Sequence, residues 1–132
     1  MTRNEAREIL MQILFEMDSS KSMNIESAKM LVEKKLSGNH ILRGTNLLTE
    51  IIDNIEYIDS TIDLNSKSWK TKRMPKVDLA IMRLAIGEMK YADDIPKAVS
   101  INEAINLAKK YSTEQSSKFI HGVLGAITEN ND

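Results

Sequence analysis

The residue types that usually carry chemistry are sparse and scattered in this chain of 132 residues. It has no cysteine, which excludes thiolate nucleophiles, thiolate metal sites and disulfides. The two histidines, His40 and His121, fall on separate helical stretches and share no HExxH-like spacing, so zinc chemistry lacks its donors. Gly38, Gly44, Gly122 and Gly125 build no phosphate loop of the glycine-rich type. Asp93–Asp94, just ahead of Ile95–Pro96, reads as a turn-forming pair rather than a carboxylate dyad. The expectation is no catalytic residue, no metal and no cofactor.

What remains is contact chemistry. Arg3 and Arg7 are four apart and share a helix face, which suits phosphate contacts or a merely solvated face. The stretch "KSWKTKRMPK" (67–76) holds five basic residues, a tryptophan and no acid. Such a stretch can touch nucleic acid, or it can be a basic linker whose Trp69 plugs a joint. The stretch "SSKFIHGVLGAI" (116–127) opens on Ser116, Ser117 and Lys118 and turns apolar with Phe119, Ile120, Val123, Leu124 and Ile127. One end of it is polar enough to be a surface, and the rest belongs in a core.

Charge narrows the partners. The net charge is −1, so no global field attracts nucleic acid. Residues 1–66 hold 7 basic and 11 acidic side chains, and residues 67–132 hold 11 and 8. Any nucleic-acid contact must therefore be local. No apolar run approaches the roughly 20 residues of a membrane span, and "MTRNEAREIL" has no signal-peptide core, so the cytoplasm is the expected compartment.

The elements that position these residues read as helices throughout. Five glycines and two prolines leave few turns. Thr2 and Glu5 form a capping box ahead of Ala6, Ile9, Leu10, Ile13, Leu14 and Met17, one apolar helix face. A second helix is predicted over Asn24–Leu36, a third over Leu42–Tyr57 and a short fourth over Ser60–Asn65. Pro75 suits the first turn of a fifth, "PKVDLAIMRLAIGEMKY", apolar almost all round and hence central. Ser100 and Glu103 predict a second capping box, and Thr113 the cap of a last helix ending near Thr128. His121 is expected to be partly buried, with Gly122 and Gly125 allowing close helix packing. The fold class is all-α: six to seven helices in two packed halves, about 1–66 and 67–132, forming one domain.

Two segments carry a resemblance. "AREILMQILFEMD" and "VDLAIMRLAIGEMKYADDIPKAVSINEAINLAKKYSTEQSSKFIHGVL" resemble the NusB family of bacterial transcription antitermination factors. Nearly the whole chain is covered, although residues 18–70 match in helical pattern only. The resemblance implies a non-enzymatic RNA-binding adaptor. Its partners would be NusE (a small-subunit ribosomal protein), the boxA element of nascent ribosomal RNA, and NusA, NusG and RNA polymerase in the antitermination complex. It places RNA contacts at Arg3, Asn4, Arg7, Ser116, Ser117, Lys118 and Phe119, where the start of the last helix lies beside the first. It places NusE contacts at Phe15 and Asp78. Asn4 and Glu5 stand where the family often has basic residues, so RNA affinity without a partner should be weaker and less salt-steep. Two other readings compete. One is the helical accessory domain of an RNA cytosine methyltransferase, whose catalytic cysteine and cofactor-binding half are missing here. The other is a structural homodimer with no RNA role.

Overall fold

Thr2 opens the first helix as its residue types dictate. Its hydroxyl accepts the Glu5 N–H at 3.1 Å, and the Glu5 carboxylate accepts the Thr2 N–H at 2.7 Å. The computed structural model describes residues 1–130. Among them run seven helices: α1 (Arg3–Ser19), α2 (Ile25–Lys35), α3 (Asn39–Asp53), α4 (Ile55–Asn65), α5 (Lys76–Tyr91), α6 (Lys97–Tyr111) and α7 (Glu114–Asn130). Among the described residues there is no strand.

Helix α5 is the axis. It packs against α1, α3, α4, α6 and α7. Every residue from Asp78 to Glu88 is buried, including the charged Asp78, Arg83 and Glu88. Around it, Ile13, Leu14 and Met17 of α1, Leu48 and Ile51 of α3, Ile58 and Ile62 of α4 and Ile120 and Leu124 of α7 complete one apolar cluster. Arg83 is held at the surface of that cluster by a two-pronged bond to Asp59 of α4, at 2.9 and 2.7 Å.

Three expectations about the elements need correction. The helix predicted over Leu42–Tyr57 is two helices. Asn54 ends α3, its side-chain amide donating to the Glu50 carbonyl at 2.8 Å, and α4 restarts at the next residue. The apolar rhythm runs straight across that break. Ser100 is no cap: α6 begins at Lys97 behind Pro96, and Ser100 lies one turn inside it, buried. Gly122 and Gly125 have open space where a Cβ would stand, so they mediate no close approach. The glycines that do are Gly44, beside the side chains of Leu36 and Leu10, and Gly87, against Ile51.

The basic stretch is a folded connector rather than a loose linker. The Lys70 ammonium donates to the carbonyls of Asp63 and Ser66, both at 2.8 Å, and so caps the end of α4. The Thr71 N–H and hydroxyl bond the two Asp63 carboxylate oxygens at 2.7 and 3.1 Å. The Ser66 hydroxyl donates to the Trp69 carbonyl. Trp69 itself is half-buried and meets the Phe119 ring edge-on, centroids 5.4 Å apart.

Candidate nucleic-acid interface

At the start of α1, Arg3 is exposed and bonds Asp94 of the α5–α6 loop at 2.5 Å. Arg43 of α3 reaches the same Asp94 oxygen at 2.8 Å. The Asp93–Asp94 pair does turn the chain, but Asp94 also gathers two guanidinium groups from separate helices. Hydrogen bonding from Arg43 holds the Asp94 carboxyl below its ordinary 3.8; burial opposes it, and the bond from Arg3 adds to the lowering. The ion pairs therefore add stability at pH above the unfolded-state pKa, and this is lost as pH falls through the lower folded-state value. Carbon-detected NMR titration should find Asp94 titrating below 3.8. A midpoint at or above it would mean that the clasp is open in solution.

Behind this clasp lies a cleft of about 600 Å³, lined among others by Arg3, Arg7, His40, Arg43, Glu88 and Asp94. Arg7 is buried on its inner wall. Its Nε donates to Glu88 of α5 at 2.8 Å, and a second nitrogen donates to the Asn4 side-chain oxygen at 2.8 Å. Arg7 is thus a structural cation that ties α1 to α5. The expectation of phosphate contact there does not fit its 7 % exposure.

The start of α7 repeats this lesson. Thr113 caps it, its hydroxyl accepting the Ser116 N–H at 3.0 Å. The Ser117 hydroxyl donates to the Glu114 carbonyl at 2.7 Å. Both serines are buried, Ser116 held through its backbone N–H and Ser117 through its hydroxyl, and neither has a surface for RNA. Lys118 is exposed, and Phe119 is half-buried in its T-shaped contact with Trp69. His121, expected to be partly buried, is exposed.

The helix that reaches the middle of α1 is α6, by its last turn; α7, expected from the sequence to lie beside α1, packs on α4, α5 and α6 instead. Lys110 bonds Glu8 at 2.7 Å, and Gln12 donates to the Tyr111 hydroxyl at 3.0 Å. Hydrogen bonding from Lys110 lowers the pKa of Glu8, and the same bond raises that of Lys110. One turn on from Gln12, Phe15 is 40 % exposed, and Tyr111 is 37 % exposed. Tyr111 went unnoticed in the sequence because nothing in its own helix sets it apart. Its weight comes from α1.

Asp78, expected beside Phe15 at the partner surface, is at 0 % exposure, and among the described residues neither carboxylate oxygen has a hydrogen-bond partner. Its position in the first turn of α5 gives it the favourable end of the helix dipole. As folded, it has no surface with which to meet a basic residue of another protein, so the interface assignment is withdrawn.

The NusB family profile matches residues 4–129. The chain belongs to the NusB family. A transcription antitermination protein NusB from Alkaliphilus oremlandii is 44% identical over 130 residues, covering 98% of this chain and 94% of that protein. The solved NusB structure of T. maritima superimposes with a TM-score of 0.88 at 28% identity, over 98% of this chain and 92% of that one. A chain from the structure of antitermination factors NusB and NusE in complex with double-stranded RNA gives a TM-score of 0.83 at 26% identity, covering 97% of this chain and 96% of that one. The all-α class and the family expected from the sequence are both borne out. No helix among the described residues is long and apolar enough to cross a membrane.

Proposed function

We propose that this chain is an RNA-binding transcription antitermination factor that pairs with NusE and binds boxA RNA. The observation that carries the proposal is the family match over nearly the whole chain, joined to a shared fold with a protein solved together with NusE and RNA. In this reading the protein is an adaptor and not an enzyme, acts in the cytoplasm, and joins NusA, NusG and RNA polymerase through the complex it nucleates. The methyltransferase accessory-domain reading loses ground to a 44%-identical antitermination protein matched over 94% of its own length.

The surface residues narrow to those with something to offer. Arg3, with Asn4 beside it, supplies charge at the start of α1, while Lys118 and Phe119 supply a cation and a ring face at the start of α7. Phe15 and Tyr111 form the exposed aromatic surface proposed for NusE. Lys118→Ala removes one phosphate contact from an exposed site. It should lower the slope of log affinity against log salt by about 0.7 and leave thermal stability unchanged. An unchanged slope would take Lys118 off the RNA path.

Light scattering on the chain alone and mixed with NusE tests the pairing. A heterodimer of one copy of each is expected. A homodimer that NusE leaves intact would favour the structural reading and contradict the adaptor.

A further inference from the structure

The connector between α4 and α5 carries more positive charge than its structural duties use. Of the five basic residues from 67 to 76, Lys70 caps α4 and Lys76, the first residue of α5, faces Asp18 at 3.4 Å. Lys67, Lys72 and Arg73 are exposed and make no side-chain hydrogen bond or ion pair among the described residues. The acid that the connector touches, Asp63, has both oxygens committed to Thr71. The edge-on contact of Trp69 with Phe119 brings this charge against the start of α7, where Lys118 also makes no side-chain hydrogen bond or ion pair among the described residues. In a chain of net charge −1, such a local concentration of free cations stands out.

We propose that Lys67, Lys72 and Arg73, on the same connector as Trp69 of the Trp69–Phe119 pair, form a second stretch of the RNA path, one that grips single-stranded nucleotides flanking the boxA element. This inference rests on the RNA-binding reading above and extends it to residues outside α1 and α7. The chemistry favours nucleic acid over an acidic protein. Free cations beside half-buried rings reproduce the two parts of a single-strand site, phosphate neutralisation and base stacking. The connector is also rigid enough to serve: Arg73 and Met74 N–H groups both bond the Lys70 carbonyl, at 2.9 and 3.1 Å, so the cations stand on a fixed turn. The shortage of basic residues at positions 4 and 5 of α1 would then be offset here.

The test uses the full chain with NusE and a labelled single-stranded RNA carrying boxA and several nucleotides on each side, titrated at several salt concentrations. Wild type is compared with the Lys67→Ala/Lys72→Ala/Arg73→Ala variant, whose helicity and melting should be unaltered. Three single-strand contacts at about 0.7 counterions each predict a salt slope lower by about 2 and an affinity roughly a hundredfold weaker near 0.1 M salt. Without NusE, the emission of Trp69, the sole tryptophan of the chain, should change as this RNA saturates wild type. An unchanged slope in the variant, with wild type binding RNA well, would overturn the connector path alone. Intact RNA binding with weakened NusE binding would overturn it in favour of a protein-docking face. No RNA binding by wild type would overturn both this inference and the reading beneath it.

Discussion

Replacing Glu88 with alanine should destabilise the fold by about 3–5 kcal/mol, because it leaves the Arg7 guanidinium buried with no counter-charge. The side chains of Arg7 and Glu88 are only 8% and 4% exposed, so the contact is largely desolvated although both residues line the cleft. Asn4 still accepts one bond from Arg7, but a neutral oxygen does not compensate a desolvated cation. Against the 5–15 kcal/mol typical of a domain this is a large fraction, and the melting temperature should fall by roughly 10 °C or more. The double variant Arg7→Met/Glu88→Leu removes both charges and keeps apolar volume. It should recover most of the loss, since a buried ion pair seldom outweighs well-packed apolar residues. Urea unfolding of the three proteins checks the prediction. A Glu88→Ala loss below about 1 kcal/mol would mean that the pair is solvated.

Gly87→Ala is expected to destabilise by about 1–3 kcal/mol, although alanine is the better helix former by roughly 1 kcal/mol. A Cβ at position 87 would overlap the Cδ1 of Ile51, 2.5 Å away, and Ile51 has 0% exposure and no free space to enter. The packing penalty exceeds the propensity gain because α3 and α5 cross at this point, and separating them would loosen the centre of the core. Ile51→Ala removes both atoms, Cγ1 and Cδ1, that Gly87→Ala would strike. Combined with Gly87→Ala it should cost less than the two single changes added together. Simple additivity would place the contact elsewhere.

These two positions also show what the sequence made legible. Apolar periodicity found the helices and marked α5 as central, because the need to bury a face is written in residue spacing. The Thr2 and Thr113 caps were legible because capping is local. The burial of Arg7, Ser116, Ser117 and Asp78 was not. Their burial is decided by where other helices pass, and a polar residue on a strip of sequence looks solvent-bound until a neighbour such as Glu88 arrives 81 positions later. The restart at Asn54 was hidden because one residue can end one helix and begin the next without disturbing the apolar rhythm. Ser100 and Glu103 mimicked a cap inside a helix that Pro96 had already begun. Gly87 gave no signal of its own, since a close approach depends on Ile51. Of the candidate site, Arg3, Asn4, Phe15, Lys118 and Phe119 remain on or near the surface where the resemblance placed them. Trp69, Asp94, Arg43 and Tyr111 gain their meaning only from contacts between helices.

The central claim is that this fold presents RNA-binding and NusE-binding surfaces that act together. Fluorescence anisotropy of a labelled boxA RNA, titrated with the chain in the presence and absence of NusE and beside a scrambled RNA, tests it most directly. The account predicts selective binding of boxA that tightens when NusE is added. Equal affinity for boxA and scrambled RNA, unmoved by NusE, would contradict it.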